Sequence, residues 1–184
     1  MSLPIPNEWQ RTLDGEVLPN LTDPALWALR PIAFRGKRVL EWGSGHSTLW
    51  WARRAERVMV VEHNVSWLAD VLDDLEKAGL TNVTARRPVV TGEEATQDRA
   101  GRVFARHRYA DVAGIWDIII IDGMLRNTCA VRAAQIIAPR GLVILDNSDR
   151  EQYGPAHAAL HHLRRVDYWQ DDNPCWCTTF YWNE

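Results

Sequence analysis

Short apolar segments alternate with longer amphipathic ones along most of the chain, and this alternation restricts the fold more than any other feature. The apolar segments are rich in Val, Ile and Leu, which is typical of strands buried on both faces of a sheet. We predict strands over Arg38–Trp42, Arg57–Glu62, Val83–Ala85 with an extension toward Val90, Trp116–Ile121 and Leu142–Leu145. Strands separated by helices pair in parallel through right-handed crossovers. The sequence therefore predicts an α/β fold with a doubly wound, mainly parallel sheet.

The segments between the strands predict helices over Ser47–Ala55, Ser66–Ala78, Asn127–Ile137 and Pro155–Arg164, and a further helix over Pro24–Phe34 precedes the first strand. Ser66 is a candidate N-cap, because its hydroxyl can accept a bond from a free backbone N–H, and Gly79 is placed to end the same helix. Near the C-terminus, Arg165–Gln170 and Trp176–Trp182 are joined by too few residues for a helix. They predict an antiparallel hairpin at the edge of the sheet.

The composition fits one globular domain. With 184 residues, of which 46% are hydrophobic, the chain can bury a substantial core without metal or disulfide cross-links. We predict a single domain over residues 1–184, with a Rossmann-like core over residues 37–182 and an N-terminal cover segment over residues 1–36. The polar segment Thr91–Gly114 is expected to be an insertion or a lid over the site.

The charge and the cysteine content limit the partners and the cellular compartment that the sequence predicts. The net charge is -3, and we interpret the Lys and Arg residues as scattered, which predicts no nucleic-acid partner. The three cysteines, Cys129, Cys175 and Cys177, are too few for a disulfide framework. No segment has the roughly 18 consecutive apolar residues of a membrane span. We expect a cytoplasmic protein without a membrane partner, and the ten tryptophans would allow a buried homodimer interface.

A glycine-bearing turn follows the first strand, in the segment EWGSGHST at residues 41–48. Gly43 and Gly45 would let the backbone approach a ligand closely. Glu62 ends the second strand 21 residues after Glu41, where an acid can bind both hydroxyls of a ribose. Together these residues predict a cofactor that contains adenosine.

The residue types of the turn favour one adenosine cofactor over another. A dinucleotide-binding turn needs a third small residue, but that position holds Thr48. Glu41 would also repel a pyrophosphate, whereas its carboxylate suits the cationic S-adenosylmethionine. The sequence favours S-adenosylmethionine, and an NAD-binding oxidoreductase is the less favoured alternative.

These motifs resemble those of the class I S-adenosylmethionine-dependent methyltransferases. Glu41, Gly43 and Gly45 resemble the first motif of that family, Glu62 its ribose-binding acid, and residues 116–123 its fourth motif. The resemblance implies a seven-stranded sheet in the order 3-2-1-4-5-7-6. It also implies a cofactor-binding set, which we take as Glu41, Gly43, Ser44, Gly45, Ser47, Thr48, Glu62, His63, Arg87 and Asp122.

Two further strands are followed by acids, which suggests a second group of functional residues. Asp122, Asp146 and Asn147 would converge beside the cofactor, and their oxygen atoms suit Mg²⁺. The set resembles the metal ligands of catechol-type and caffeoyl-CoA-type O-methyltransferases, in which the metal orients the acceptor hydroxyl. Leu125 stands where those enzymes usually carry a lysine base. A metal-free alternative remains open, because such acids also occur in methyltransferases without a metal and Asp-Asn is a common turn pair.

A histidine could supply a base. His157 and His161 are four residues apart and would share one helix face, although surface or packing roles are the alternative. Our catalytic candidates are Asp122, Asp146 and His157. The predicted function is methyl transfer from S-adenosylmethionine to a small molecule, at a hydroxyl oxygen and with Mg²⁺ assistance. The alternatives are metal-independent N- or O-methylation and a non-catalytic S-adenosylmethionine-binding regulatory domain.

Overall fold

A computed structural model describes residues 11–13, 16–88, 95–97 and 103–183. The strands are β1 (Arg11–Leu13), β2 (Glu16–Leu18), β3 (Arg38–Trp42), β4 (Arg57–Val61), β5 (Val83–Arg86), β6 (Ala95–Gln97), β7 (Val103–Ala105), β8 (Trp116–Ile121), β9 (Ile137–Leu145), β10 (Arg164–Gln170) and β11 (Asn173–Trp182). The helices are α1 (Asp23–Leu29), α2 (His46–Ala52), α3 (Val65–Lys77), α4 (Arg106–Ala110), α5 (Arg126–Ile136) and α6 (Gly154–Ala159), with a 3-10 turn at Glu151–Tyr153.

Seven of these strands form one mixed sheet in the order β10-β11-β9-β8-β3-β4-β5. Five neighbouring strands are parallel to one another, namely β5, β4, β3, β8 and β9, and β11 pairs antiparallel with both β9 and β10. With the core strands counted from β3, this is the order 3-2-1-4-5-7-6 that the resemblance implies. The fold class and the C-terminal hairpin are confirmed.

Helices cover both faces of the sheet, and this explains why its central strands are apolar throughout. Ile119 and Ile121 of β8 pack with the cluster that includes α5, whereas Ile118 and Ile120 pack on the opposite face with the cluster that includes α1 and α2. Consecutive side chains of a strand point to opposite faces, so each must be apolar when both faces are buried. Trp51, fully buried, lies in the second of these clusters.

Several predicted boundaries are wrong by a few residues. Asn64, not Ser66, caps α3, because its side-chain oxygen accepts a bond from the backbone N–H of Trp67. The last predicted helix ends at Ala159 and Arg164 already belongs to β10, so His161 lies beyond α6 and does not share a helix face with His157. Strand β5 ends at Arg86, and Val90 lies outside the described residues.

The N-terminal helix packs against the terminal hairpin. Thr22 donates its backbone N–H to Thr178 Oγ1 at 3.2 Å and its hydroxyl to the Tyr168 carbonyl at 3.0 Å. Within the described residues, no helix is long and apolar enough to cross a membrane.

Candidate functional site

The carboxyl ends of four parallel strands meet at one edge of the sheet and form a crevice. Trp42 of β3 is in register with Val61 of β4 and with Ile121 of β8, and Ile121 is in register with Leu145 of β9. The residues that follow these strand ends therefore lie side by side. They are the predicted Gly43, Glu62, Asp122 and Asp146. In parallel α/β sheets this edge is where ligands bind.

The backbone of the glycine turn packs directly against the backbone that follows β8, with no room for a side chain at Gly43. Gly43 has a φ of +97°, and a Cβ atom there would lie 2.8 Å from both the Cα and the N of Gly123. Its N–H donates to the Val61 carbonyl at 3.0 Å, which ties the turn to β4. Only glycine meets both demands, so Gly43 is required by the backbone itself. Gly45 is less constrained, since a Cβ there would make only ordinary contacts.

We predict that Gly43→Ala costs about 2–4 kcal/mol of the free energy of unfolding, from the positive φ and the overlap with the Gly123 backbone. Gly79→Ala is the matched control, because Gly79 also has a positive φ, +67°, but open space around its Cα. Strain alone should cost it about 1 kcal/mol. Urea denaturation of both variants measures the difference, and equal losses would contradict the close approach at Gly43.

Glu41 lies beneath the glycine turn and is fully buried. The Thr48 hydroxyl donates to Glu41 Oε2 at 2.5 Å and accepts the Gly45 N–H at 3.1 Å. Glu41 thereby supports the turn through Thr48. Burial raises its pKa to about 8, although the hydroxyls of Ser47 and Thr48 act in the opposite direction. Glu41 is therefore mostly protonated at neutral pH, which differs from the carboxylate that the sequence suggested.

Glu62 connects the turn to the beginning of α3. Its Oε2 accepts the Ser44 N–H at 3.0 Å, and its Oε1 accepts the Asn64 N–H at 2.7 Å and lies 2.9 Å from His63 Nδ1. Burial raises the pKa of Glu62, but the bonds from His63, Asn64 and Ser44 together outweigh it, so the pKa is lowered. Glu62 is an anion at neutral pH, held at the end of β4. The Ser44 hydroxyl, at 3.3 Å, makes the longest of its contacts.

A buried arginine joins the two acids of the second predicted group. Arg126 Nη2 donates to Asp122 Oδ1 at 2.9 Å and to the Asp122 carbonyl at 2.8 Å, and its Nη1 donates to the Asp146 carbonyl. The Arg126 side chain is 9% exposed and that of Asp122 is 35% exposed, so Asp122 is the member that reaches the crevice. Desolvation raises the pKa of Asp122 to about 7, with Arg126 lowering it and Asp146 raising it.

Asp146 is satisfied by the protein around it. Its Oδ1 accepts bonds from the Thr178 hydroxyl at 2.8 Å and from Trp176 Nε1 at 3.2 Å, and the residue is 2% exposed. Burial raises its pKa, although Arg126 and these donors oppose the shift.

The predicted metal-ligand set of Asp122, Asp146 and Asn147 does not fit a divalent cation. The Arg126 guanidinium already places a positive charge between the ends of β8 and β9, and a second cation there would be repelled. Across the described ranges, no three His, Cys, Asp or Glu residues come together as metal ligands. Asn147 has a left-handed backbone, with a φ of +48°, and forms part of a turn after β9.

His157 does not face the crevice. Its Nδ1 bonds with the Tyr181 hydroxyl and its Nε2 lies 2.8 Å from the Ser148 carbonyl, so both ring nitrogens are engaged within the fold. This placement argues against the predicted role of His157 as a base. Arg87, by contrast, is exposed directly after β5, at the rim where the resemblance puts the adenine.

Two residues of the crevice were not assigned a role from the sequence. Arg126 begins α5 only four residues after Asp122, across the short turn that follows β8, and this closeness in sequence could have suggested the ion pair. Tyr109 of α4 is fully buried, and its hydroxyl accepts the Met124 N–H at 3.1 Å while its carbonyl accepts Trp42 Nε1 at 2.9 Å. It lies in the segment Thr91–Gly114, so part of that segment does pack over the end of β8.

Solved structures with the same architecture are numerous. One is a methyltransferase-like protein from Silicibacter pomeroyi, with a TM-score of 0.62, 17% identity, and coverage of 96% of this chain and 91% of that one. Another is precorrin 8W decarboxylase from Methanobacterium thermoautotrophicum, with a TM-score of 0.59, 15% identity, and coverage of 98% and 99%. A third is a 16S rRNA methyltransferase from T. thermophilus in complex with AdoMet and guanosine, with a TM-score of 0.60, 18% identity, and coverage of 89% and 44%.

The chain has their fold. It is the fold of class I S-adenosylmethionine-dependent methyltransferases, as the motifs around Gly43 and Glu62 predicted. No protein-family model matches the chain. No curated protein matches it either.

The prediction that excluded nucleic acid from the partners is wrong as an exclusion. The methyltransferase fold of this chain is shared with proteins that act on rRNA, including the one from T. thermophilus and an rRNA methylase from Streptococcus thermophilus. The premise of scattered cations also fails, because the register of β3 with β4 brings seven of the 21 Lys and Arg residues to one edge of the sheet.

Proposed function

We propose that this protein is a methyltransferase that binds S-adenosylmethionine in the crevice and methylates a hydroxyl or amine of a small molecule without a divalent cation. The observation that carries the proposal is the ionised Glu62 at the end of β4, bonded to the Ser44 N–H of a turn that only glycine can form. S-adenosylmethionine, when bound, supplies an electrophilic methyl group. Glu62 would accept the ribose hydroxyls, with its long contact to the Ser44 hydroxyl the one exchanged.

Asp122 is the group best suited to take a proton from the acceptor. Its side chain reaches the crevice, and a pKa of about 7 is close to the value at which a base works best near neutral pH. Arg126 holds the carboxylate in place and favours its ionised form. As the acceptor oxygen or nitrogen forms its bond to the methyl carbon, the bond from that carbon to the cofactor sulfur would break and S-adenosylhomocysteine would leave. The proton of the acceptor would pass to Asp122. Methylation of a hydroxyl or an amine is therefore the proposal, and Mg²⁺ assistance is not part of it, because the donor set does not fit a cation.

We expect purified protein to bind S-adenosylmethionine equally well with Mg²⁺ and with EDTA, because no cation contributes to the site. Glu62→Gln should weaken binding about 10- to 100-fold, since it loses hydrogen bonds to a charged acceptor. Isothermal titration of the two proteins under both conditions measures the effect. The matched control is Glu56→Gln, which removes the same charge at an exposed position.

Each result of this titration bears on the proposal. Unchanged affinity in Glu62→Gln, with the variant still folded by circular dichroism, would show that Glu62 does not bind the ribose. Loss of affinity on adding EDTA would show that a divalent cation does contribute to cofactor binding. A panel of catechols, phenols, amines and short RNA, assayed for release of S-adenosylhomocysteine, then identifies the acceptor class. Binding without turnover on any acceptor would favour a regulatory S-adenosylmethionine-binding domain.

A further inference from the structure

Two chain segments carry an unusual concentration of cations. Residues 30–38 and 53–57 contain seven of the 21 Lys and Arg residues of the chain and a single acid, Glu56. The seven are Arg30, Arg35, Lys37, Arg38, Arg53, Arg54 and Arg57. This is a dense positive charge within a chain whose net charge is -3.

The fold brings these two segments together. Arg38 and Arg57 begin neighbouring parallel strands in register, and the Glu56 N–H donates to the Lys37 carbonyl at 3.0 Å. Both segments therefore lie at the amino ends of β3 and β4. We call this surface the basic edge, defined as residues 30–38 and 53–57. It lies opposite the crevice, about 17 Å away along the five residues of β3.

Only part of this charge is neutralised. Glu16 pairs with Arg54 at 2.6 Å and lies 3.8 Å from Arg53, and Asp117 pairs with Arg38 at 3.1 Å. Arg30, Arg35 and Arg57 have no carboxylate partner within the described ranges, whereas Lys37 forms no close ion pair but lowers the pKa of Asp117. Arg30, Arg35 and Arg57 are exposed.

A cavity opens on the same surface. It has a volume of about 330 Å³, and its wall combines the guanidinium-bearing Arg30, Arg35 and Arg54 with the apolar Phe34 and Trp50. The planar guanidinium of arginine can donate to two oxygens of one phosphate at once, and it is more weakly hydrated than the ammonium of lysine. Six of the seven cations of the basic edge are arginines.

An exposed aromatic ring stands beside the cavity. Trp27 of α1 is 62% exposed, and the Arg30 guanidinium lies 3.8 Å from its ring centroid. Aromatic rings next to cations form stacking platforms for the bases of single-stranded nucleic acids. An anionic membrane would instead require several exposed apolar side chains, and Trp27 is the single large one in the described segments 23–38 and 53–57.

We propose that the basic edge binds the phosphate backbone of a single-stranded nucleic acid, with Trp27 and Arg30 stacking a base. The three unpaired arginines exceed the charge of about -2 that one phosphate monoester carries, and they match a run of singly charged phosphodiesters. Because this surface is remote from the crevice, the nucleic acid is held there and need not be the methyl acceptor. The proposal is independent of the methyl-transfer reaction.

The test is fluorescence anisotropy with a labelled 20-nucleotide single-stranded RNA, at about 50 and 200 mM salt. We expect the wild type to bind with a steep salt dependence, and the triple variant Arg30→Gln, Arg35→Gln, Arg57→Gln to bind at least about tenfold more weakly. Its slope of log K against log salt should be smaller by about 2, since each phosphate contact to a single strand contributes about 0.7. The matched control, Arg132→Gln, Arg164→Gln, Arg165→Gln, loses the same charge from α5 and β10 and should bind like the wild type.

Several outcomes would overturn the proposal. The first is no binding of the RNA by the wild type up to about 100 µM, which is the weak end of non-specific affinity. The second is equal weakening of RNA binding in the two triple variants. The third is binding to phosphatidylserine vesicles but not to RNA. If the triple variant does not fold, the exposed single variant Arg35→Glu replaces it, with an expected loss of several-fold. Cofactor titration of the same variants should give wild-type affinity, so failure here is distinguishable from failure of the methyltransferase assignment.

Discussion

Asp122→Asn is expected to lower kcat by about 10²- to 10⁴-fold, the range that a positioned general base contributes. The amide oxygen of Asn can still accept the bond from Arg126, so the position of the side chain should survive while its ability to take a proton is lost. In the wild type, kcat should rise with pH to a plateau, with an apparent pKa of about 7, because only the ionised Asp122 accepts the proton. The variant should lack this rise.

The measurement is initial-rate release of S-adenosylhomocysteine with the acceptor found in the panel, between pH 5.5 and 9. Asp73→Asn is the matched control, since Asp73 is an exposed acid on α3 that pairs with Lys77. The affinity for S-adenosylmethionine should be unchanged in the control, and the loss in Asp122→Asn should be small beside the loss in kcat, because the side chain keeps its place beside Arg126. A variant at Asp122 that kept both its kcat and its pH profile would show that another group removes the proton.

Glu41→Gln is expected to stabilise the protein at alkaline pH and to leave it nearly unchanged at acidic pH. The pKa of Glu41 is about 8 in the folded protein, against 4.5 for an ordinary glutamate, so the folded state holds its proton more tightly than the unfolded state does. The stability from this group is fully present below pH 4.5 and is lost as pH rises to about 8. Glutamine keeps the neutral form at every pH. The variant should therefore exceed the wild type by about 3–5 kcal/mol at pH 8.5.

Urea denaturation at pH 5 and pH 8.5 separates this effect from a general change in charge. Glu56→Gln removes a carboxylate at an exposed position and should shift stability by less than about 0.5 kcal/mol at either pH. Glu62, whose pKa is lowered, contributes in the opposite sense, with stability that is present above its unfolded pKa and lost in acid. A constant difference between Glu41→Gln and the wild type across pH would show that Glu41 is ionised when folded.

Much of the fold follows from local pattern. The segments Arg38–Trp42 and Trp116–Ile121 could be predicted because strands buried on both faces need continuous apolar runs. The terminal hairpin could be predicted because the five residues between its predicted strands cannot form a crossover helix. The positions of the glycine turn and Glu62 could be predicted from those of the strands, since both directly follow strand ends. Their spacing places them at the same edge of the sheet.

The roles of the charged residues were less predictable, because they depend on where each side chain points in the folded protein. The acids after β8 and β9 predict a metal site only while Arg126 is assumed to point away. Leu125 has a left-handed backbone, with a φ of +53°, and the helix that starts after it turns Arg126 back onto Asp122. Likewise, residues 30–38 and 53–57 are separated by a strand and a helix in sequence, so only the register of β3 with β4 makes them one surface.

The position of Tyr109 has a consequence for the kinetics of ligand entry. Its hydroxyl lies where a Cβ atom on Gly123 would be and accepts the Met124 N–H, while its carbonyl holds the Trp42 indole. Any ligand that contacts the Gly123 backbone must wait for this side chain to withdraw. Association of such a ligand would therefore depend on the Tyr109 side chain moving first, and its rate would level off at high ligand concentration.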